Sequence, residues 1–179
     1  LREILTEAER LVLDTETDQP LRLDAIEALG HGSELHGNTA AVFQKLLAPS
    51  ETSAVRHGTI RAVGNMTAAG AAKLLLAAWP GLVANERASA LDVLLSRGTW
   101  QEALLQGMES GQVSINGFSL VHRDRLLKSA NKAVAKRARG VFANEAEGDR
   151  AGALAKFAPA LKLGGDAEKG RLVYDMHCA

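Results

Sequence analysis

Leu21-Arg22-Leu23-Asp24-Ala25-Ile26-Glu27-Ala28-Leu29-Gly30 and Val55-Arg56-His57-Gly58-Thr59-Ile60-Arg61-Ala62-Val63-Gly64 share one pattern, 34 residues apart (21 to 55). Each begins with an apolar residue and a basic one. A small residue and paired aliphatics follow one turn on. A third copy starts at Glu86-Arg87 and runs through Ala90-Leu91 to Leu94-Leu95, 31 residues further (55 to 86). A fourth, weaker copy, Val134 to Phe142, follows after 48 residues (86 to 134) and has Ala135 in the basic position. That longer gap holds the Gly-rich stretch Gly107 to Gly117. One short helix pair cannot bury its own apolar face, so a repeat of this length implies stacked pairs.

Between the copies, apolar residues recur at helical spacing. Ile4, Ala8, Leu11 and Val12 line a first helix, and Leu21, Ala25, Ala28 and Leu29 a second. Thr39, Val42, Phe43 and Leu46 mark a third, and Val55, Thr59, Ile60 and Val63 a fourth. Further stripes are Ala71 to Ala78, Ala84 to Leu95, Trp100 to Gly107, Val134 to Phe142 and Leu154 to Leu161. Ser33, Ser50 and Thr67 stand where N-caps are needed, and Thr99 to Glu102 fits a capping box. Trp79-Pro80-Gly81 stops one helix and restarts another. The pattern is that of the second helix of HEAT-type repeats. The aromatic pattern of tetratricopeptide repeats and the Thr-Pro-Leu-His turn of ankyrin repeats are missing. The expected fold is therefore all-α, a HEAT/armadillo-like right-handed superhelix of antiparallel helix pairs over residues 1–163.

Composition agrees. Hydrophobic residues are 46% of the 179, enough to fold, while aromatics are only 4%. Ala and Leu dominate, which favours helices that approach closely. Lys+Arg and Asp+Glu balance at 21 each, against a dedicated nucleic-acid binder. No apolar run is long enough to span a bilayer; Lys73 and Pro80 break the most apolar stretch. The chain opens at Leu1-Arg2-Glu3 without Met, which suggests a piece of a longer protein.

Candidate chemistry is sparse. His31, His36, His57, His122 and His177 lack the spacing of a zinc or di-iron site and read as structural or solvent-facing. Arg123, Arg125, Lys128, Lys132, Lys136, Arg137 and Arg139 form a basic run without interleaved aromatics, which reads as solvated helix faces. Asp14, Glu16 and Asp18 lack the register of a calcium loop and read as a polar connection. No phosphate-binding glycine loop, nucleophile elbow or paired carboxylates are recognisable. We expect no catalytic residue and no metal ligand in this segment.

The last fifteen residues differ. Gly165-Asp166-Ala167-Glu168-Lys169-Gly170-Arg171-Leu172-Val173-Tyr174-Asp175-Met176-His177-Cys178-Ala179 resembles the opening helix of a c-type cytochrome, cut inside its haem motif. In such domains Gly-Asp caps the helix, a Gly allows close helix contact, an aromatic follows, and Cys-x-x-Cys-His then binds haem. Gly170 and Tyr174 match those positions, and Cys178 would be the first thiol. His177 precedes that Cys and is not the iron ligand.

With this tail after helical repeats, the chain resembles the HEAT-like segment of planctomycete-type multidomain haem-binding dehydrogenases of the membrane-bound or sorbosone type. Leu76 to Leu82, Glu86 to Leu91, Gly107 to Val113, and Ala158 to Leu161 running into Gly165-Asp166 carry the likeness. Gly58 and Gly140, inside expected helices, depart from the pattern. The resemblance implies a non-catalytic spacer between a catalytic β-propeller and a cytochrome c domain, with residues 164–179 the start of the latter. It also implies haem c in the full-length parent, an extracytoplasmic location, the neighbouring domains as partners, and no nucleic acid or membrane insertion. The alternative is a free-standing HEAT-repeat scaffold for protein–protein interaction. A third class is a helical-repeat enzyme, such as a bilin lyase or a DNA glycosylase; the glycosylase would need a basic groove with aromatics and a buried Asp, and aromatics are few.

Overall fold

The repeated decapeptides become helices that stack on one another. The structure, a computed structural model, describes residues 1–68, 70–162 and 164–177. Side-chain surroundings are described for these except 144–151, 153, 161 and 177. The α-helices are α1 Arg2–Leu13, α2 Gln19–His31, α3 Thr39–Leu46, α4 Ser53–Asn65, α5 Ala71–Ala78, α6 Ala84–Leu94, α7 Gly98–Glu109, α8 Leu120–Leu127, α9 Lys132–Phe157 and α10 Ala167–His177. Short 3₁₀ turns lie at Trp79–Gly81, Ile115–Gly117 and Ala158–Lys162. The fold is all-helical, with no strand among the described residues. Packing divides it into two compact units, Leu1–Phe142 and Ala143–Ala179. The boundary drawn from motifs at 163/164 rests on sequence pattern; the division by packing falls within α9.

Within the first unit, α2 packs on α4 and α4 on α6, and these three helices carry the first three repeat copies. The intervening helices form a second row, α1 on α3, α3 on α5 and α5 on α7, and the rows join through α1–α2, α3–α4, α4–α5 and α6–α7. Between the rows Phe43, Ile26, Leu29, Ile60, Leu75, Leu91, Leu104 and Trp100 are almost wholly buried. Each contributes about 1.5–3 kcal/mol by leaving water.

Small residues set the spacing of the repeat helices. A Cβ on Gly30 would lie 2.6 Å from the Ala62 carbonyl oxygen of α4, so the end of α2 fits only without a side chain. Gly58 is also buried, and a Cβ there would meet Leu23 Cδ2 at 2.8 Å. The glycine inside α4 is thus a packing choice and not a break in the helix. Gly111, with φ of 77°, takes the left-handed conformation just past α7.

Several local expectations are corrected. Ile4 and Leu21 lie outside the core; in α1 the buried stripe is Leu5, Ala8 and Val12. Ile4 adjoins that stripe and is left open. N-capping positions move a few residues. Thr52, not Ser50, caps α4 by accepting the Val55 N–H at 3.3 Å. Asn38 rather than Ser33 precedes α3, and Gly70 rather than Thr67 precedes α5. Thr99 lies inside α7, whose N-cap position is Arg97. Glu86 forms the reach-back contact instead, accepting the Val83 N–H at 3.0 Å. Helix α8, capped by Ser119 accepting the His122 N–H at 3.2 Å, fills part of the long gap before the fourth copy. It had no signal in the periodicity, because of its eight residues only Leu126 and His122 are buried.

Candidate functional site

The basic residue of the repeat is its most informative polar feature. Arg22 Nε donates to the Val12 carbonyl at 2.8 Å, tying off the end of α1. Its two Nη atoms grip Glu51 as a fork, at 2.7 and 3.0 Å. One repeat on, Arg56 Nη2 lies 2.9 Å from Glu86 Oε1, and Nη1 donates to the Gly81 carbonyl at 3.3 Å. Glu86 is completely buried. In the third copy Arg87 donates to the Trp79 and Pro80 carbonyls, at 3.3 and 3.4 Å, and its guanidinium stacks over the Trp79 ring. These arginines cap chain reversals and pin loops. Their charges are spent on fold, since a buried guanidinium needs a carboxylate or carbonyls around it.

The histidines scatter. His31 is exposed at the end of α2, 3.8 Å from Glu27 and 3.2 Å from Asn65 Nδ2. His36 Nε2 meets Glu9 Oε2 at 2.5 Å, and His57 Nδ1 lies 3.0 Å from the Ser53 carbonyl. His122 is buried, edge-on to Phe118, with Nε2 3.5 Å from Asp92 and Nδ1 without a hydrogen-bond partner among the described residues. Its burial had no trace in the sequence. Of His177 only the backbone is described. No group of three metal-ligating side chains forms among the described residues.

In the basic run, acids from earlier helices and from α8 itself take up part of the charge. Arg125 pairs with Asp92 at 2.9 Å, Lys128 with Asp124 at 2.9 Å, and Arg137 grips Glu109 at 2.6 and 3.1 Å. Arg123 lies over the Phe142 ring. Hydrogen bonding to Arg137 holds the Glu109 carboxyl below its ordinary pKa and raises that of the guanidinium. The acidic connection is a turn, in which Asp14 Oδ1 accepts the Glu16 N–H at 3.0 Å.

In the tail, Asp166 caps α10, its Oδ1 accepting the N–H groups of Glu168 and Lys169 at 3.0 and 3.1 Å. Leu172, Val173, Tyr174 and Met176 are all more than half exposed. Nothing lies within 4 Å of where a Gly170 Cβ would be. Every side chain of α10 that is described is exposed, these apolar ones included. Cys178, the expected haem thiol, lies outside the described residues. No helix among the described residues is long and apolar enough to cross a membrane.

Apolar surface is also open in the first repeat. Ile4, Leu11 and Leu21 line a groove of about 490 Å³ between α1 and α2, edged by Glu3, Glu7 and Asp24. The periodicity placed all three on apolar helix stripes; Leu11 is partly buried against the core, while Ile4 and Leu21 are exposed.

Comparison of the chain with protein-family models, with curated proteins and with solved structures finds no match.

Proposed function

We propose that this chain is a non-catalytic spacer and docking segment of a larger haem-containing dehydrogenase. In this reading a HEAT/armadillo-like right-handed superhelix joins a catalytic β-propeller to a cytochrome c domain outside the cytoplasm. Haem c is held by the full-length parent, with Cys178 as the first of its two thiols. The partners are the flanking domains of the same chain. One observation carries the reading: Asp166 caps α10 as the Gly-Asp motif requires, and that helix exposes Leu172, Val173, Tyr174 and Met176 just before Cys178. Exposed apolar residues ahead of a cysteine are what the first helix of a cytochrome would offer to the rest of its domain. The two rows of helices support a spacer role, because stacked pairs set distance and direction by their number.

The coding sequence provides the first test. After Ala179 it should read one residue of any kind, then Cys and His; any other continuation ends the proposal. Co-expressing the extended chain with a haem-attachment system should give a haem c spectrum that is lost with Cys178→Ser. The alternative, a free-standing interaction scaffold, is favoured by the open groove of the first repeat. It requires a discrete partner recovered without any haem domain.

A further inference from the structure

Helices α1 and α2 each turn one apolar stripe into their shared groove: Ile4, Ala8 and Leu11 from the first, Leu21, Ala25 and Ala28 from the second. Both stripes step by four residues and then by three, which is two turns of one helix face, about 10 Å long. The alanines keep the floor low. Ala8 and Ala25 are buried, while Ile4 and Leu21 stand open at 63% and 48%. A hollow of about 490 Å³ between two such stripes is the seat a third helix takes, its own ridge lying between them.

Every charged residue on the lining is acidic: Glu3, Glu7 and Asp24. Arg10 holds Glu7 at 2.6 Å and lies in the field of Asp14, whereas Glu3 and Asp24 make no ion pair among the described residues. Arg2 precedes Glu3 in sequence but is not part of the lining. The excess extends past the rim. Residues 1–31 carry eight carboxylates against three arginines, in a chain whose formal charge is zero. One of the three, Arg22, is turned inward to Glu51. A field of one sign around an apolar hollow selects partners of the other sign.

We propose that this groove is the docking site of a basic amphipathic helix from a partner protein. Its apolar residues, spaced i, i+3 or i+4, and i+7, fill the hollow, and Lys or Arg beside them meet Glu3 and Asp24. Apolar burial supplies the affinity. The acidic rim sets orientation and rejects a helix with acidic flanks. The inference concerns α1 and α2 alone and stands apart from the haem reading, which the coding sequence tests separately.

Peptide binding to the full chain, followed by fluorescence anisotropy, tests it. The probe is an Ala-rich helix of about 16 residues with leucines at i, i+4 and i+7 and lysines flanking them; its counterpart has glutamates in place of the lysines. The lysine peptide should bind saturably and about tenfold or more tighter than the glutamate peptide, a difference that shrinks as salt rises from about 50 to 500 mM. Ile4→Ser with Leu21→Ser should weaken the lysine peptide roughly tenfold. Glu3→Lys with Asp24→Lys should invert the preference, making the glutamate peptide the tighter one. All four positions are exposed, so helical content and melting should hold. An inverted preference, moreover, cannot come from a chain that has failed to fold. No saturable binding of the lysine peptide up to ~1 mM overturns the proposal. So does equal binding of the two peptides, binding untouched by the paired serine variant, or a charge-swapped chain that keeps the wild-type preference. Self-association abolished by Leu21→Ser would give the groove to a second copy. Peptide binding lost when residues encoded ahead of Leu1 are restored would give it to this chain itself. Either result also overturns the proposal.

Discussion

Leu91 and Leu172 sit in helices of equal length, eleven residues each, and have opposite fates. Leu91 in α6 is fully buried between the two rows of helices, and Leu172 in α10 is 62% exposed. The same contrast holds for the units around them. In residues 1–142, charged groups as well as aliphatic ones are drawn inside: Arg22, Arg56 and Glu86 are buried, each tied to a neighbouring repeat or loop. In residues 143–179, Leu154, Phe157, Leu172, Val173, Tyr174 and Met176 remain on the surface. Helical periodicity thus states which side of a helix wants cover. It does not state whether cover exists.

The comparison is broken most forcefully at Glu86. Glu86→Ala leaves the Arg56 guanidinium buried without its carboxylate, and should cost about 3–5 kcal/mol in denaturant unfolding. A loss below about 1 kcal/mol would mean that the arginine finds water and that the inter-repeat pair is incidental. Gly30→Ala should cost about 1–3 kcal/mol, because its Cβ would sit 2.6 Å from backbone oxygen that cannot yield as a side chain can. Gly170→Ala, with nothing within 4 Å, should instead be neutral or slightly stabilising in this chain. A matched pair of melts on those two variants measures the difference between the units directly.

Smaller effects sharpen the picture. Glu109 and Arg137 are each more than one-third exposed, so solvent screens their pair, and Glu109→Gln should cost no more than about 0.5 kcal/mol. The Glu109 carboxyl has a lower pKa folded than unfolded. Its contribution is therefore present above the ordinary carboxylate pKa and fades as pH falls through the folded value. The difference between wild type and Glu109→Gln should shrink under acid and persist at neutral pH. Smallest of all, Leu172→Ser should change stability by less than about 0.5 kcal/mol in this chain, although the residue is a large aliphatic. A marked loss would show that α10 is packed after all.

The all-helical class and the positions of several helices were legible. The 34- and 31-residue offsets correspond to α2, α4 and α6, and Trp79-Pro80-Gly81 is the 3₁₀ turn between α5 and α6. The four residues assigned to the buried side of α3, Thr39, Val42, Phe43 and Leu46, are all buried. Less legible were caps and short elements. Ser50 and Thr52 lie two residues apart and both can cap, so only the path of the chain chooses between them. Helix α8 buries too few residues to leave a periodic trace. The basic residue of the repeat was visible as a regularity, but its role was not. Arg22 finds Glu51, and Arg56 finds Glu86, across about thirty residues of chain. Local spacing does not encode such partners.

By itself, the sequence determined that this protein is helical and where the repeated helices lie, because propensity, apolar period and breakers act over a few residues. It also set the cap of α10, since Asp166 and the N–H groups it accepts lie within one turn. Tertiary structure alone decided which apolar stripe is covered. It closed Leu5 and Val12 against neighbours and left Ile4, Leu21, Leu120 and Leu172 open. It also turned the repeated arginines inward. Burial depends on what residues distant in the chain bring alongside, and that information is nonlocal.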